Sequence, residues 1–283
     1  MYSLPDYGRM LGEPTRFGAY RRALERAVTG GEIVMDIGAG PGVLGLLAAQ
    51  AGASRVYAVE PDPVVELAAK LARSNDLPQL EVVPQLSSTF SPENRADVLI
   101  SDLRGVLPTF TEHLASIIDA RDRLLKPGGT LIPRRDVLMA CPVCAPEARR
   151  RHLGGFEVEG LDLEIARRRA SHLWTRVELE KRAVASEPVQ IAELDYRTIT
   201  DPNVKGQASF ELDGRPLDGI AVWFDADIDG EERFSNAPSS SLIYGQAFFP
   251  FDSSLETRAG DVLHLGFAAH YVAGDDYLYR WRG

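Results

Sequence analysis

The chain has 283 residues, 45% of them apolar and 25% charged, the balance of a globular protein with enough core for one large domain or two small ones. A formal charge of −10 argues against a general nucleic-acid or anionic-membrane surface. No apolar run approaches the roughly 20 residues of a membrane span. The opening MYSLPDYGRML has no basic segment followed by an apolar one, so a cytoplasmic location is expected.

Residues 1–28 read as a helical lead-in, with Leu11, Tyr20, Ala23, Leu24 and Ala27 at near-helical spacing. Residues 29–135 then alternate short apolar runs (IVMDIG, RVYAVE, EVV, ADVLIS, GTLI) with helical stretches (VLGLLAAQAG, PVVELAAKLARSN, TEHLASIIDARDRLL). That alternation implies βαβ units and a mostly parallel sheet. Over 136–283 the pattern changes. VQIAELDYRTI, GQASFEL, GIAVWFDADI, IYGQAFFPF and VLHLGFAAHYV are rich in β-branched and aromatic residues and are separated by turn formers, the pattern of an antiparallel sheet or barrel. An Arg-rich helical stretch at about 146–183 interrupts them, its acids interleaved as on a solvated or intersubunit helix face. The two cysteines, Cys141 and Cys144, lack a second pair or a nearby His, and strand parity points them to opposite faces; they read as reduced thiols, not a zinc site. His113, His152, His172, His264 and His270 form no ligand spacing, and no catalytic metal is expected.

IVMDIGAGPGVLGLLAAQAG is the most informative stretch. A strand runs into Gly38, Gly40 and Gly42 and a helix follows at once, a turn whose glycines let the backbone come close to a ligand. The spacing also serves dinucleotide folds. Asp36, two residues before the glycines, can accept from an amino-acid ammonium. Glu60, at the end of the next strand, can accept from both hydroxyls of a ribose. Both lie at strand ends, the edge where open α/β sheets bind ligands. With LLKPGGTLIP, a helix–turn–strand pattern of class I methyltransferases, these features resemble the S-adenosylmethionine fold.

The likeness extends further. MLGEPTRFGAYRRAL followed by VMDIGAGPGVLGLLAAQAGASRVYAVE, and later RFSNAPSSSLIYGQAFFPF, resemble the protein arginine methyltransferases from Met10 to about Tyr271. The resemblance implies a Rossmann-like parallel sheet followed by a β-barrel-like domain with an inserted helical dimerisation arm, and a homodimer. It implies that Arg16 pairs with the cofactor carboxylate, a contact suited to a guanidinium fork. It assigns Gly38, Gly40 and Gly42 to the cofactor loop, Asp36 and Glu60 to its acids, and Ser87 and Ser88 to the adenine side, where the family has glutamates.

ISDLRGVLPTFTE aligns with the family's double-glutamate loop. The first glutamate position is Asp102; the second is Thr111, with Glu112 one residue later. Leu242, Ile243 and Tyr244 replace the family's THW loop, removing its histidine. A guanidinium stays cationic, and two carboxylates bracketing it orient one nitrogen. One shorter acid and a threonine do not reproduce that clamp. On a helix, moving an acid by one residue turns it by about 100°. The expectation is therefore direct methyl transfer to a nitrogen or oxygen of a small-molecule, peptide or protein acceptor, with true arginine methylation and a catalytically degenerate cofactor- and partner-binding protein as the alternatives. Asp102 is the candidate for orienting the nucleophile and taking its proton, with Glu112 as a second catalytic acid. Arg104 and Tyr244 are candidates for acceptor contact, and Arg104 alternatively pairs with Asp102.

Overall fold

The computed structural model describes residues 3–282. The N-terminal lead-in is two helices, α1 (Leu4–Leu11) and α2 (Pro14–Ala27). Ser3 caps α1 in a reciprocal capping box with Asp6. Pro14 at the first position of α2 cannot donate within a continuing helix, so the axis breaks at 12–13.

Five parallel strands follow: β1 (Ile33–Ile37), then α3 (Val43–Gln50), β2 (Arg55–Val59), α4 (Glu66–Ser74), β3 (Leu80–Val83), β4 (Ala96–Ser101), α5 (His113–Arg123) and β5 (Leu125–Ile132). Their order is β3-β2-β1-β4-β5. The order reverses beside β1, whose neighbours are β2 and β4, so the crevice for a ligand opens above the carboxyl ends of β1 and β4. The KPGG segment is part of β5, where a turn was expected. Its pairing with β4 slips between Ala96 and Val98, and a Cβ on Gly129 would stand 2.9 Å from the Asp97 carbonyl. The glycine admits a close strand approach.

From Arg135 on, the sheets are antiparallel. β6 (Arg135–Val143) precedes a helical excursion, α6 (Pro146–Leu153) and α7 (Glu164–Ala170). The stretch expected to be helical to 183 is helical in α6, α7 and short turns; β7 (Thr175–Val177) within it pairs with the edge of a sheet. Then come β8 (Val189–Asp195), β9 (Val204–Asp213), β10 (Leu217–Asp227), β11 (Arg233–Ser235), β12 (Gln246–Leu255), β13 (Ala259–His270) and β14 (Leu278–Arg282). They form a sheet ordered β7-β12-β10-β6-β8, with β11 on β10, and a second ordered β14-β13-β9. The central strand β10 is buried almost throughout, as its unbroken apolar run GIAVWF demands. Residues 243–245, expected to open a strand, form the loop before β12 instead.

One apolar core continues from the parallel sheet into the barrel through Leu138, Phe224 and Phe249. Cys141 and Cys144 are both free; burial pushes the Cys141 thiol up to about 12. Among the described residues no helix is long and apolar enough to cross a membrane, and no group of three His, Cys, Asp or Glu side chains is placed to hold a metal.

Candidate active site

The loop from β1 to α3 is shaped by its glycines. Gly38, Gly40 and Gly42 have φ of +70°, +52° and +77°, the left-handed region that costs L side chains energy. Space excludes a side chain as well. A Cβ on Gly38 would lie 2.1 Å from the Leu103 side chain, and one on Gly40 would lie 2.8 Å from the Tyr7 ring. The glycines thus let Leu103, Tyr7 and Ala68 pack directly on the loop backbone.

Asp36, on β1, is 1% exposed, and its Oδ2 accepts from the Gly45 amide at 3.0 Å. Burial pushes its carboxyl up to about 7; the Gly45 bond opposes this, and the negative charges of Glu60 and Asp102 add to it. Glu60, just past β2, is half-buried. It accepts from the Gly40 amide at 3.1 Å and the Asp62 amide at 2.9 Å, which fixes both carboxylate oxygens beside the glycine loop.

Asp102 follows β4 and is the centre of a buried polar cluster. Its Oδ2 accepts from Arg16 Nη1, and its Oδ1 from the hydroxyls of Tyr20 at 3.1 Å and Tyr244 at 3.2 Å. Arg104 Nη1 lies 3.5 Å from the same Oδ1. Arg16, on α2, also donates to Glu13 at 3.2 Å and to the Met10 carbonyl at 2.6 Å. Arg104 makes its strongest pair elsewhere: Nε and Nη2 form a two-pronged bond with Asp136 of β6 at 2.9 and 3.0 Å, and Nη1 donates to Tyr20 at 2.8 Å. Its side chain is fully buried. Burial opposes its charge, and Asp136 first, then Tyr20, Tyr196 and Asp102, outweigh burial and hold the proton firmly.

A cavity of about 340 Å³ brings Arg16, Gly38, Glu60, Asp102, Arg104 and Tyr244 to one surface. Asp36, Gly40 and Gly42 belong to the strand–loop–helix joint behind Gly38. A larger cavity of about 900 Å³ lies beside Trp281 on the barrel, but no carboxylate lines it and it is remote from the glycine loop in the fold. We locate the chemistry in the smaller one.

Three further candidates fall outside it. Glu112 immediately precedes α5, and its carboxylate accepts from the Tyr271 hydroxyl at 2.5 Å and the Gly274 amide at 2.7 Å, tying the C-terminal loop. Thr111, with φ of +40°, lines the cavity in its stead. Ser87 and Ser88 sit on a short turn after β3, half-buried and exposed, and do not line the cavity; the Ser87 carbonyl accepts from Arg123.

Other contributors escape a reading of the sequence. Glu13 accepts from the Ile243 amide at 2.6 Å and so pins the loop that carries Tyr244 to the start of α2. Arg176 of β7 donates to the carbonyls of Tyr244 at 2.9 Å and Ile243 at 2.8 Å. Asp136 and Tyr196 are wholly buried behind Arg104, and the Tyr196 hydroxyl donates to Asp136 at 2.5 Å. A carboxylate inside DVLMACPV, an otherwise apolar strand, is a signal that a cationic partner exists, though it does not say which one.

Comparison with known proteins places this arrangement. A family model described as ribosomal protein L11 methyltransferase (PrmA) matches residues 21–133. Protein arginine N-methyltransferase 6 of Xenopus tropicalis is 32% identical over 253 residues, covering 84% of this chain and 73% of that protein. The chain belongs to the protein arginine N-methyltransferase family. With that family it is a class I S-adenosylmethionine-dependent methyltransferase. The arginine N(omega)-methyltransferase of Streptomyces achromogenes subsp. streptozoticus is 28% identical over 275 residues, covering 90% of this chain and 73% of its own length. In fold, the chain matches a Trypanosoma brucei PRMT1 enzyme-prozyme complex with a TM-score of 0.84, at 20% identity, over 93% of this chain and 87% of that one. The Rossmann-like parallel sheet followed by antiparallel sheets is the arrangement shared with these family members.

Proposed function

We propose that this chain transfers the methyl group of S-adenosylmethionine to a neutral nitrogen or oxygen nucleophile held against Asp102. The glycine loop fits the cofactor: it has no room for side chains, and an arginine and two acids surround it in the order such a zwitterionic nucleoside needs. Arg16 would take the carboxylate, Asp36 the ammonium, and Glu60 the ribose hydroxyls. When bound, the cofactor supplies a methyl group already activated by the sulfonium, so placement of the nucleophile matters more than its strength.

Asp102 supplies that placement. Tyr20 and Tyr244 hold its Oδ1 from two sides, which leaves the carboxylate fixed at the cavity wall. It orients an acceptor O–H or N–H and receives the proton as the new bond to carbon forms. The observation that carries the choice of acceptor is the charge around Asp102. Arg16 and Arg104 both stand at this one carboxylate, and Glu112 is turned to Tyr271 and Gly274. On the acceptor side a guanidinium would find Asp102 already facing Arg104, not the two carboxylates that bracket it. The acceptor remains open as to size: a metabolite, a peptide or a protein side chain presents the same group.

A second reading, methylation of arginine itself, is favoured by the names of the relatives. Incubation with methyl-labelled cofactor distinguishes the two. Label recovered on a non-guanidino nitrogen or oxygen in cell extract, with none on Arg-rich peptides, supports the first; label on a guanidino nitrogen sinks it. We further propose that the chain assembles as a homodimer through the α6–α7 arm. Val158, Leu161, Ile165 and Leu173 are 45%, 63%, 78% and 61% exposed there, apolar surface that a partner would remove from water.

A further inference from the structure

Arg104 is a cation held firmly in place at the acceptor cavity. Its guanidinium lies against the rings of Phe224 and Phe234, at 5.3 and 5.5 Å from their centroids. Both prongs of its fork engage Asp136, whose Oδ2 also receives the Tyr196 hydroxyl. Asp136 belongs to the antiparallel sheet and Arg104 to the loop after β4, so the pair is anchored from both halves of the chain. Arg16 differs, because the carboxylate of the cofactor gives it an alternative partner. Whatever occupies the cofactor side, the positive charge of Arg104 stays 3.5 Å from Asp102.

We infer that Arg104, clamped by Asp136 and Tyr196, is a specificity-determining residue that denies Asp102 to cationic acceptors. The inference rests on the cavity being the acceptor site. A guanidinium arriving at Asp102 would meet the charge of Arg104 within a few ångströms, nearer than the Asp136 carboxylate that balances it. A neutral acceptor does not meet that obstacle: it shares the carboxylate with Tyr20 and Tyr244 and brings no charge of its own. The pocket thus keeps an acid for proton removal while suppressing the electrostatic attraction that one acid alone would exert on arginine.

The test removes both charges together, so that no buried ion is left without its partner. In Arg104→Met/Asp136→Asn the asparagine still accepts from Tyr196; in Arg104→Gln/Asp136→Asn the glutamine also restores a donor for Tyr20. Each protein is saturated with S-adenosylhomocysteine and titrated calorimetrically with N-acetylarginine methylamide and with the citrulline analogue, its neutral counterpart. The wild type is expected to show no preference for the arginine probe. The double variants should gain preference for it by roughly fivefold, the difference between removing a like charge at about 6 Å and its balancing carboxylate about 4 Å farther away, at an effective dielectric near 20. A wild type that already prefers arginine overturns the inference, as does an unchanged ratio in a variant that folds and binds S-adenosylhomocysteine. Absence of S-adenosylhomocysteine binding to the wild type overturns the cofactor reading beneath it, and this inference with it.

Discussion

In the proposed role, Asp36 is held in a state that suits the ligand better than the fold. Its carboxyl is pushed from 3.8 to about 7, chiefly by burial. A shift of about 3 units corresponds to roughly 4 kcal/mol, at about 1.36 kcal/mol per unit. Because the folded value lies above the unfolded one, no penalty exists below about pH 4, where both states are protonated. Stability is lost as pH rises from there, and the full penalty is present above pH 7, once the buried group ionises. Asp36→Asn removes the charge and keeps an oxygen for the Gly45 amide. Without ligand, the variant should melt higher than the wild type at pH 8, by on the order of 5–10 °C, and the gap should close towards pH 4. Cofactor binding should move the other way. Only the ionised carboxylate attracts an ammonium, so the affinity of the wild type for S-adenosylhomocysteine should fall below pH 7, by up to about tenfold per pH unit, and the variant should bind very weakly throughout. Thermal melts from pH 4 to 8, with and without S-adenosylhomocysteine, measure both effects. If Asp36→Asn is less stable than the wild type at pH 8 and pH 5 alike, Asp36 is a structural acid and the reasoning is wrong.

Gly40→Arg places a side chain where even a Cβ would strike Tyr7, and calorimetry should detect no S-adenosylhomocysteine binding; retained affinity would mean that the cofactor lies elsewhere. Glu112→Gln weakens the bonds to Tyr271 and Gly274, lowering stability by roughly 1–2 kcal/mol in urea, with S-adenosylhomocysteine affinity unaltered. A loss of affinity would return Glu112 to the site. Tyr20→Phe leaves Arg104 Nη1 without its phenol, at a cost of about 1–3 kcal/mol; a neutral result would show that this buried network relaxes freely. Ile165→Asp should shift sedimentation from dimer to monomer, and an unchanged profile would remove the arm from the interface.

The parallel half of the fold is legible because its strands are covered on both faces and so appear as unbroken apolar runs such as ADVLIS. The glycine loop is legible because left-handed backbone selects glycine at 38, 40 and 42. Long-range partners are what the sequence hides. Glu112 is spoken for by Tyr271, 159 residues away, and nothing local to PTFTE announces it. Tyr20 occupies an apolar helical position, yet its hydroxyl joins Arg104 to Asp102. Arg104 beside Asp102 in DLRG suggests a simple pair, whereas the two-pronged bond goes to Asp136 on a strand of the other sheet. β7 is three residues long and is defined by its pairing with β12, which no periodicity reports.

The most direct measurement is methyl transfer itself. Purified protein, methyl-labelled S-adenosylmethionine and a fractionated cell extract would be combined, and the labelled product located atom by atom by mass spectrometry. The account predicts label on an oxygen or a non-guanidino nitrogen of an uncharged acceptor, abolished by Asp102→Asn. Label on the guanidino nitrogen of an arginine would contradict it.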